Sequence, residues 1–214
     1  MWVRQSPRRS GGSWRRSGNE SSVWRLGTTR AMRSYPGSMS TTRAVVVGAV
    51  AAAAASWTKS LTEPVLQRTG ERLFPPRPEQ KALLGADVSG RPELMPPAVM
   101  IRNVARSVAG REIDDERSTE LMPFVHYGFG VGFGVGYSLI ALRRPAISML
   151  MGVPAGALLW LATHGSTVPA AGLQASPASL PRSWYVWELG SHLIFGATLE
   201  MVRRAGWRAL RRVT

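Results

Sequence analysis

The residues most able to do chemistry in this 214-residue chain are histidines and ionisable side chains inside otherwise apolar segments. His126, His164 and His192 are the only histidines. Imidazole titrates near neutral pH and also binds transition metals, so histidines in apolar surroundings are candidates for proton or metal chemistry. Cysteine is absent, which excludes disulfides, thiolate metal sites and cysteine nucleophiles.

Two pairs of ionisable residues have the spacing of one helical turn. Lys59 and Glu63 are four residues apart, and so are Glu188 and His192. Each pair therefore shares one face of a helix, where its members can interact. The sequence predicts a polar site that consists of Lys59, Glu63, His126, His164, Glu188 and His192.

Three kinds of site fit these residues. Hydrogen bonds between helices, with a self-neutralised pair of Lys59 and Glu63, would be purely structural. A histidine beside a carboxylate can instead titrate in the physiological range, which predicts a proton-responsive site. The third interpretation is a zinc site, because zinc binds imidazole nitrogen and carboxylate oxygen. Its candidate ligands are His126, His164, Glu188 and His192.

The elements that must position these residues are apolar segments, and a helix needs about 20 residues to cross a bilayer. Residues 121–142 are uncharged, and a second uncharged run follows Arg144, whereas charges interrupt the segments near 44–63 and 184–202. We predict an all-α fold, an integral membrane four-helix bundle. Its spans lie at about 44–63, 121–142, 146–164 and 184–202.

The formal charge of +14 lies almost entirely at the two ends of the chain. Residues 1–43 hold nine arginines and one acid, and residues 203–214 hold five arginines and no acid. Basic ends around an apolar middle indicate membrane topology, and the positive-inside rule places both termini in the cytoplasm. All six polar residues then lie towards the outer side. So do four tryptophans, predicted to be interfacial anchors: Trp57, Trp160, Trp184 and Trp187.

The N-terminal residues 1–43 are rich in Arg, Ser and Gly and have no hydrophobic periodicity. They are predicted to be a disordered leader. An alternative is that translation starts at Met32 or Met39. The other predicted regions are a membrane domain at 44–204 and a basic cytoplasmic tail at 205–214. The membrane domain includes a Pro-rich outer loop at 64–120, in which a short helix is predicted at 98–109.

The stretch HYGFGVGFGVGY at 126–137 has a glycine at every second position. The stretch is not a nucleotide-binding loop, because the strand and the lysine that such a loop needs are missing from the sequence around it. It is not a strand either, because a lone strand in lipid would leave its backbone hydrogen-bonding groups unpaired. In a helix, the glycines form two small-xxx-small ridges that let neighbouring helices pack closely. The residues predicted for helix packing are Gly128, Gly130, Gly132, Gly134 and Gly136.

Five segments between residues 44 and 204 resemble the YagU-like family of small bacterial inner-membrane proteins. They are Lys59-xxx-Glu63, MPPAVMIR in the outer loop, His126 with GVGY at 134–137, GALLWLATH followed by Pro169 and Gly172-Leu173, and WELGSHLIFGATLEMVRR. The resemblance implies a multi-pass inner-membrane protein without an established enzymatic activity.

These observations predict a multi-pass inner-membrane protein whose outward-facing polar site senses or moves protons or a small solute. No cofactor and no enzymatic activity are expected. The alternative is a metal-binding membrane protein or a metal-dependent membrane enzyme that uses zinc, and a second alternative is a scaffold that packs against partner helices. The predicted partner is the lipid bilayer, and binding to nucleic acid is not expected. The sequence leaves open whether the chain forms a homo-oligomer.

Overall fold

The computed structural model describes residues 40–213, so most of the predicted leader lies outside the described residues. Within that range all regular secondary structure is helical, as predicted for an all-α membrane protein. The α-helices are α1 (Thr41–Leu73), α2 (Pro78–Lys81), α3 (Pro96–Ala109), α4 (Asp115–Arg143), α5 (Val153–Ala162), α6 (Val168–Ala170) and α7 (Arg182–Val213). The 3-10 segments are Pro92–Leu94, Pro145–Gly152 and Pro177–Ser179, and Thr163–Thr167 is a π-helical turn.

Side-chain caps set the start of two long helices. Ser40 accepts a hydrogen bond from the backbone N–H of Arg43 at the start of α1. Asp114 accepts one from the backbone N–H of Arg117 at the start of α4. Such caps satisfy backbone donors that have no partner within the helix. Both helices are longer than the predicted spans, since α1 continues to Leu73 and α4 begins at Asp115.

Within residues 40–213, three segments are long and apolar enough to cross a membrane, namely α1, α4 and the combined segment Pro145–Ala170. The fourth predicted span lies in α7, which does not belong to this group. α7 packs along α1 and α5, and its charged side chains Glu188 and Glu200 are buried. A helix enclosed by other helices can carry such residues, because they face protein instead of lipid. The number of membrane crossings therefore stays a prediction.

The predicted third span at 146–164 is not one regular helix. Its first part is a 3-10 segment in which Leu150 and Met151 have positive φ angles, of 48° and 55°. After α5, a π-helical turn contains His164. A π-helical turn inside a helix is often found at functional sites. The sequence does not reveal this turn because its residues THGST have no distinguishing periodicity.

The glycines of α4 divide into two sets. Gly130 and Gly134 lie against α1, where a side chain would overlap Ser56 and Ala52 respectively. This close approach is what a small-xxx-small ridge allows. The other ridge faces away from the rest of the described chain, since a Cβ atom there would have no neighbour within 4 Å: Gly128, Gly132 and Gly136.

A second glycine contact joins α7 to the start of α5. A Cβ atom at Gly156 would overlap the backbone carbonyl oxygen of His192, and one at Gly196 would overlap that of Gly152. The two helices therefore touch through their backbones. This contact brings the π-helical turn that follows α5 next to the outer half of α7.

The tryptophan prediction is wrong for two of the four residues. Trp184 and Trp187 are 0% and 1% exposed, because the outer loop folds over them and contributes Ala86 and Met95 to their apolar cluster. Trp57 is 60% exposed. Trp184 and Trp187 therefore fill a core formed partly by the outer loop, whereas Trp57 lies on the surface.

The predicted cytoplasmic tail at 205–214 is helical up to Val213, as part of α7. Trp207 is buried in this region against Ala44 and Val47 of α1. The inner end of α7 is thus packed onto the start of α1.

Candidate functional site

A buried polar cluster lies where α1, the π-helical turn and α7 meet, at the end of the helices that the sequence predicts to face the outer side. The contacts include the pairs Lys59 with Glu63, Lys59 with Glu188, and Glu188 with both His164 and His192. We call these residues the outer cluster: Lys59, Glu63, His164, Glu188 and His192. Five of the six polar residues singled out in the sequence are therefore in contact.

Glu188 is at the centre of the outer cluster, and its side chain is 2% exposed. Its Oε1 atom lies 3.6 Å from Lys59 Nζ, 3.3 Å from His164 Nε2 and 3.2 Å from His192 Nδ1. Yet none of the residues in the described range forms a hydrogen bond with this oxygen. A buried carboxylate oxygen without an aligned hydrogen-bond donor is energetically costly.

The orientation of His164 follows from its contact with Gln174. His164 Nδ1 lies 2.6 Å from Gln174 Oε1, while Gln174 Nε2 donates to the backbone oxygen of His164 at 3.1 Å. The reverse amide orientation would put two carbonyl oxygens against each other. Since Oε1 can only accept, His164 Nδ1 must carry a hydrogen. In a neutral ring, the Nε2 atom that faces Glu188 would then carry only a lone pair.

His192 has a different partner. Its Nδ1 lies 2.8 Å from the backbone oxygen of Glu188, which is one turn earlier on α7. A carbonyl oxygen can only accept, so this atom donates even when the ring is neutral. The rings of His164 and His192 are 5.2 Å apart and steeply inclined, at 67°. His192 is therefore satisfied as a neutral side chain.

His126 lies on α4 and is not among the residues that contact Glu188 directly. Its ring packs edge-on against Tyr127, with centroids 5.9 Å apart. Its Nε2 atom is buried, without a hydrogen-bond partner in residues 40–213. The structure thus separates His126 from the other two histidines, although the predicted topology places all three at a similar depth.

In the described part of the chain, the residues that could hold a metal ion are His164, Glu188 and His192. Each offers one ligand atom, and the three atoms lie within 4.8 Å of one another. The ligand count would suit zinc with an open position. However, the Lys59 ammonium group lies 3.6 Å from Glu188 Oε1 and would repel a divalent cation. His126, the fourth candidate ligand, is not in this group.

The sequence did not identify Gln174, which is 4% exposed. It is uncharged, lies in a loop and belongs to no motif, so no pattern pointed to it. Ser191 was also missed, and its hydroxyl donates to the Glu188 backbone oxygen at 3.1 Å and lies 3.5 Å from Glu63 Oε1. One indication in the sequence that Ser191 belongs to the site is its position between Glu188 and His192.

A second buried carboxylate lies near the other end of α7. Glu200 and Arg204, one helical turn apart, form an ion pair, and Glu200 is 0% exposed. Its Oε2 atom accepts hydrogen bonds from Tyr137 at 2.9 Å and from Arg203 at 2.8 Å. Its Oε1 atom accepts from both arginines. We call Tyr137, Ser148, Glu200, Arg203 and Arg204 the inner cluster.

Comparison with known proteins agrees with the resemblance seen in the sequence. A family described as "Protein of unknown function (DUF1440)" matches residues 65–201. "Inner membrane protein YagU" of Escherichia coli (strain K12) is 37% identical over 81 residues, which are 37% of this chain and 39% of that protein. The alignment therefore spans well under half of this curated relative, and no solved structure matches the chain.

The matched region holds His164, Glu188 and His192, whereas Lys59 and Glu63 precede it. The apolar helices make the chain a membrane protein in contact with the lipid bilayer. Since the family model covers more than half of its residues, the chain belongs to the DUF1440 family of proteins of unknown function.

Proposed function

We propose that this chain is a proton-responsive protein of the bacterial inner membrane, in which His164 binds and releases one proton beside Glu188. The apolar helices and the name of the Escherichia coli relative support the location. The proposal concerns a response to protons and includes no enzymatic reaction.

The observation that carries the proposal is the position of His164 between Gln174 and Glu188. Because Nδ1 donates to Gln174, a neutral ring puts its Nε2 lone pair 3.3 Å from Glu188 Oε1. Two acceptors at this distance repel each other. A second proton, on Nε2, converts this contact into a charge-assisted hydrogen bond.

The charges of the outer cluster support the same conclusion. While both Glu63 and Glu188 are ionised, Lys59 can neutralise only one of them, so one buried negative charge remains if the histidines are neutral. Burying an unpaired charge is expensive. One proton on a histidine balances the cluster. We place this proton on His164 because its side chain is 16% exposed and that of His192 only 6%.

The structure favours a protein that responds to protons over one that transports protons or a solute across the membrane. An apolar layer formed by Ala51, Ala55, Phe195 and Leu199, among others, lies between the outer and inner clusters. A surface cleft lined by Glu93, Asp115, Glu116, Thr119 and Glu120 shares no residue with the outer cluster. Loss of the proton would instead leave Glu188 uncompensated where three elements meet, which weakens their contact.

A pH titration of tryptophan fluorescence tests the proposal, since Trp184 and Trp187 neighbour Glu188 on α7. The tag-free protein in nanodiscs is expected to show a transition between about pH 5 and about pH 8. His164→Gln should abolish the transition, and the matched control His126→Gln should retain it. An unchanged transition in His164→Gln would contradict the proposal. So would one equivalent of bound zinc whose removal abolishes the transition.

The orientation of the cluster rests on the charge distribution of the sequence. If the positive-inside rule holds, the outer cluster faces away from the cytoplasm. Reporter fusions at residues 85 and 144 should give an outside and an inside signal respectively. An outside signal at residue 144 would show that the assumed topology is wrong.

A further inference from the structure

We propose that Gln174 is a positioning residue that sets the tautomer of His164, and that the segment 82–95 packs on Gln174 and keeps it in this position. This inference rests on the proposed function, because it names what regulates the same site. We call the segment 82–95 the cap loop.

Gln174 uses both ends of its amide on His164. Its Oε1 faces the ring at Nδ1, and its Nε2 donates to the backbone oxygen of the same residue. This two-point contact fixes both the π-helical turn and the ring orientation. The buried position of Gln174 means that water does not compete for these bonds.

The cap loop packs directly on Gln174. The backbone N–H of Ala175 donates to the oxygen of Leu84 at 3.0 Å. Gly85 has a φ of +79°, and a Cβ atom there would lie 2.7 Å from Gln174 Cγ. Glycine is therefore required at this position both by its backbone conformation and by the close approach of Gln174.

Asp87 holds the cap loop onto the outer end of α1. Its Oδ1 accepts hydrogen bonds from Gln67 Nε2 at 2.6 Å and from the backbone N–H of Gly90 at 2.8 Å, and its Oδ2 lies 3.1 Å from Lys81 Nζ. Burial acts to raise the pKa of Asp87, but these hydrogen bonds lower it below its ordinary value. Asp87 therefore stays ionised throughout the range in which histidines titrate, and the cap loop stays in place.

The tautomer decides how His164 meets Glu188. With Gln174 in place, the single proton of the neutral ring stays on Nδ1, so only a second proton can relieve the contact at Nε2. Without the Gln174 oxygen, the neutral ring can carry its proton on Nε2 and donate to Glu188 directly. The neutral ring then no longer repels Glu188, so a second proton stabilises the contact less. The charged and titratable groups near this ring come from α1, α4 and α7: Lys59, Glu63, His126, Glu188 and His192.

The test is nitrogen-15 NMR of histidine-labelled protein in nanodiscs, since three histidines give three assignable side chains. In the unmodified protein, neutral His164 should carry its proton on Nδ1. In Gln174→Leu, the proton should move to Nε2, and the midpoint of the His164 titration should fall by roughly one pH unit. Gln174→Glu keeps the acceptor, so it should retain the Nδ1 proton and raise the midpoint.

Control by the cap loop is tested with Gly85→Ala. Its matched control is Gly110→Ala, since Gly110 also has a positive φ, of +59°, but has no atom within 4 Å of a Cβ position. Both variants carry left-handed strain. Only Gly85→Ala should displace Gln174 and move the His164 midpoint in the same direction as Gln174→Leu.

The outcomes separate this inference from the proposed function. If His164 titrates in the unmodified protein but Gln174→Leu changes neither its tautomer nor its midpoint, the role of Gln174 is refuted and the proposed function stands. If His164 does not titrate at all, the proposed function fails. Should Gln174→Leu not fold, loss of the Nδ1 proton in Gln174→Glu would refute the role equally well. Equal shifts in Gly85→Ala and Gly110→Ala would refute control by the cap loop.

Discussion

Two buried carboxylates on α7, Glu188 and Glu200, have opposite surroundings. They are twelve residues apart, which is about 18 Å along a helix, and their side chains are 2% and 0% exposed. Both oxygens of Glu200 accept hydrogen bonds, from Tyr137, Arg203 and Arg204. Glu188 Oε1 accepts none from residues 40–213.

The partners explain what each carboxylate can do. Arginine stays protonated at every physiological pH, so the charge of the inner cluster is constant. Its arginines also bind Ser148, through the side chain of Arg203 at 3.0 Å to Oγ and of Arg204 at 2.8 Å to the backbone oxygen. Histidine changes its charge near neutral pH. The inner cluster thus fixes the start of the third apolar segment, while the outer cluster can respond.

The largest expected effect is that of Glu200→Gln. It leaves the buried Arg203 side chain without its carboxylate, so the free energy of unfolding should fall by about 3 kcal/mol at all pH values between about 5 and about 8. Denaturation in mixed micelles measures this. The control is Glu120→Gln, which breaks an exposed pair with Arg117 and should cost below about 1 kcal/mol. Equal losses in both variants would remove the structural role of the inner cluster.

A smaller effect is expected from Glu188→Gln. This substitution removes a negative charge that has no compensating partner when His164 is neutral. The free energy of unfolding at neutral pH should therefore change by about 1 kcal/mol at most. Denaturation in mixed micelles measures this change. A loss of stability as large as that of Glu200→Gln would contradict the contrast between the two carboxylates.

Substitutions in the apolar layer between the two clusters test whether the clusters are independent of each other. Gly134→Ala places a methyl group against Ala52 and Leu199 and should cost about 1 to 3 kcal/mol. Gly132→Ala meets open space and should leave stability unchanged or raise it slightly. Neither variant should move the His164 midpoint. A shift in Gly134→Ala would show that the clusters are coupled through the layer.

The smallest effect concerns Asp87 at the cap loop. Since hydrogen bonds hold its pKa below the ordinary value in the folded protein, its stabilising contribution is complete above about pH 4 and is lost as the pH falls further. Hydrogen exchange of residues 82–95 should therefore rise below that pH. Asp87→Asn should raise this exchange already at neutral pH and leave that of the inner cluster unchanged. Uniform changes in both regions would contradict a local role.

Periodicity and apolar length were enough to predict helices, a membrane protein and most of the outer cluster. The one-turn spacing of Glu188 and His192 holds, because it depends only on local helix geometry. Gln174 could not be predicted, since its contact with His164 depends on how a loop returns to a helix end. The burial of Trp184 and Trp187 was missed for the same reason. It results from the outer loop folding back, which no local pattern records.

The glycines show the same limit at one helix. A four-residue repeat identified both ridges of α4, but only the tertiary packing decides that Gly130 and Gly134 face α1. A helix with two equivalent ridges has no local signal for which one is used.

Nitrogen-15 NMR in nanodiscs, recorded as a function of pH, measures directly whether His164 gains and loses a proton beside Glu188. We expect His164 to carry a proton on Nδ1 throughout and to gain a second one on Nε2 as the pH falls. Glu188→Gln should lower the midpoint of this change, whereas Glu200→Gln should leave it in place. A His164 ring that stays neutral down to about pH 5, or a midpoint that Glu188→Gln does not move, would refute the proposed role of His164.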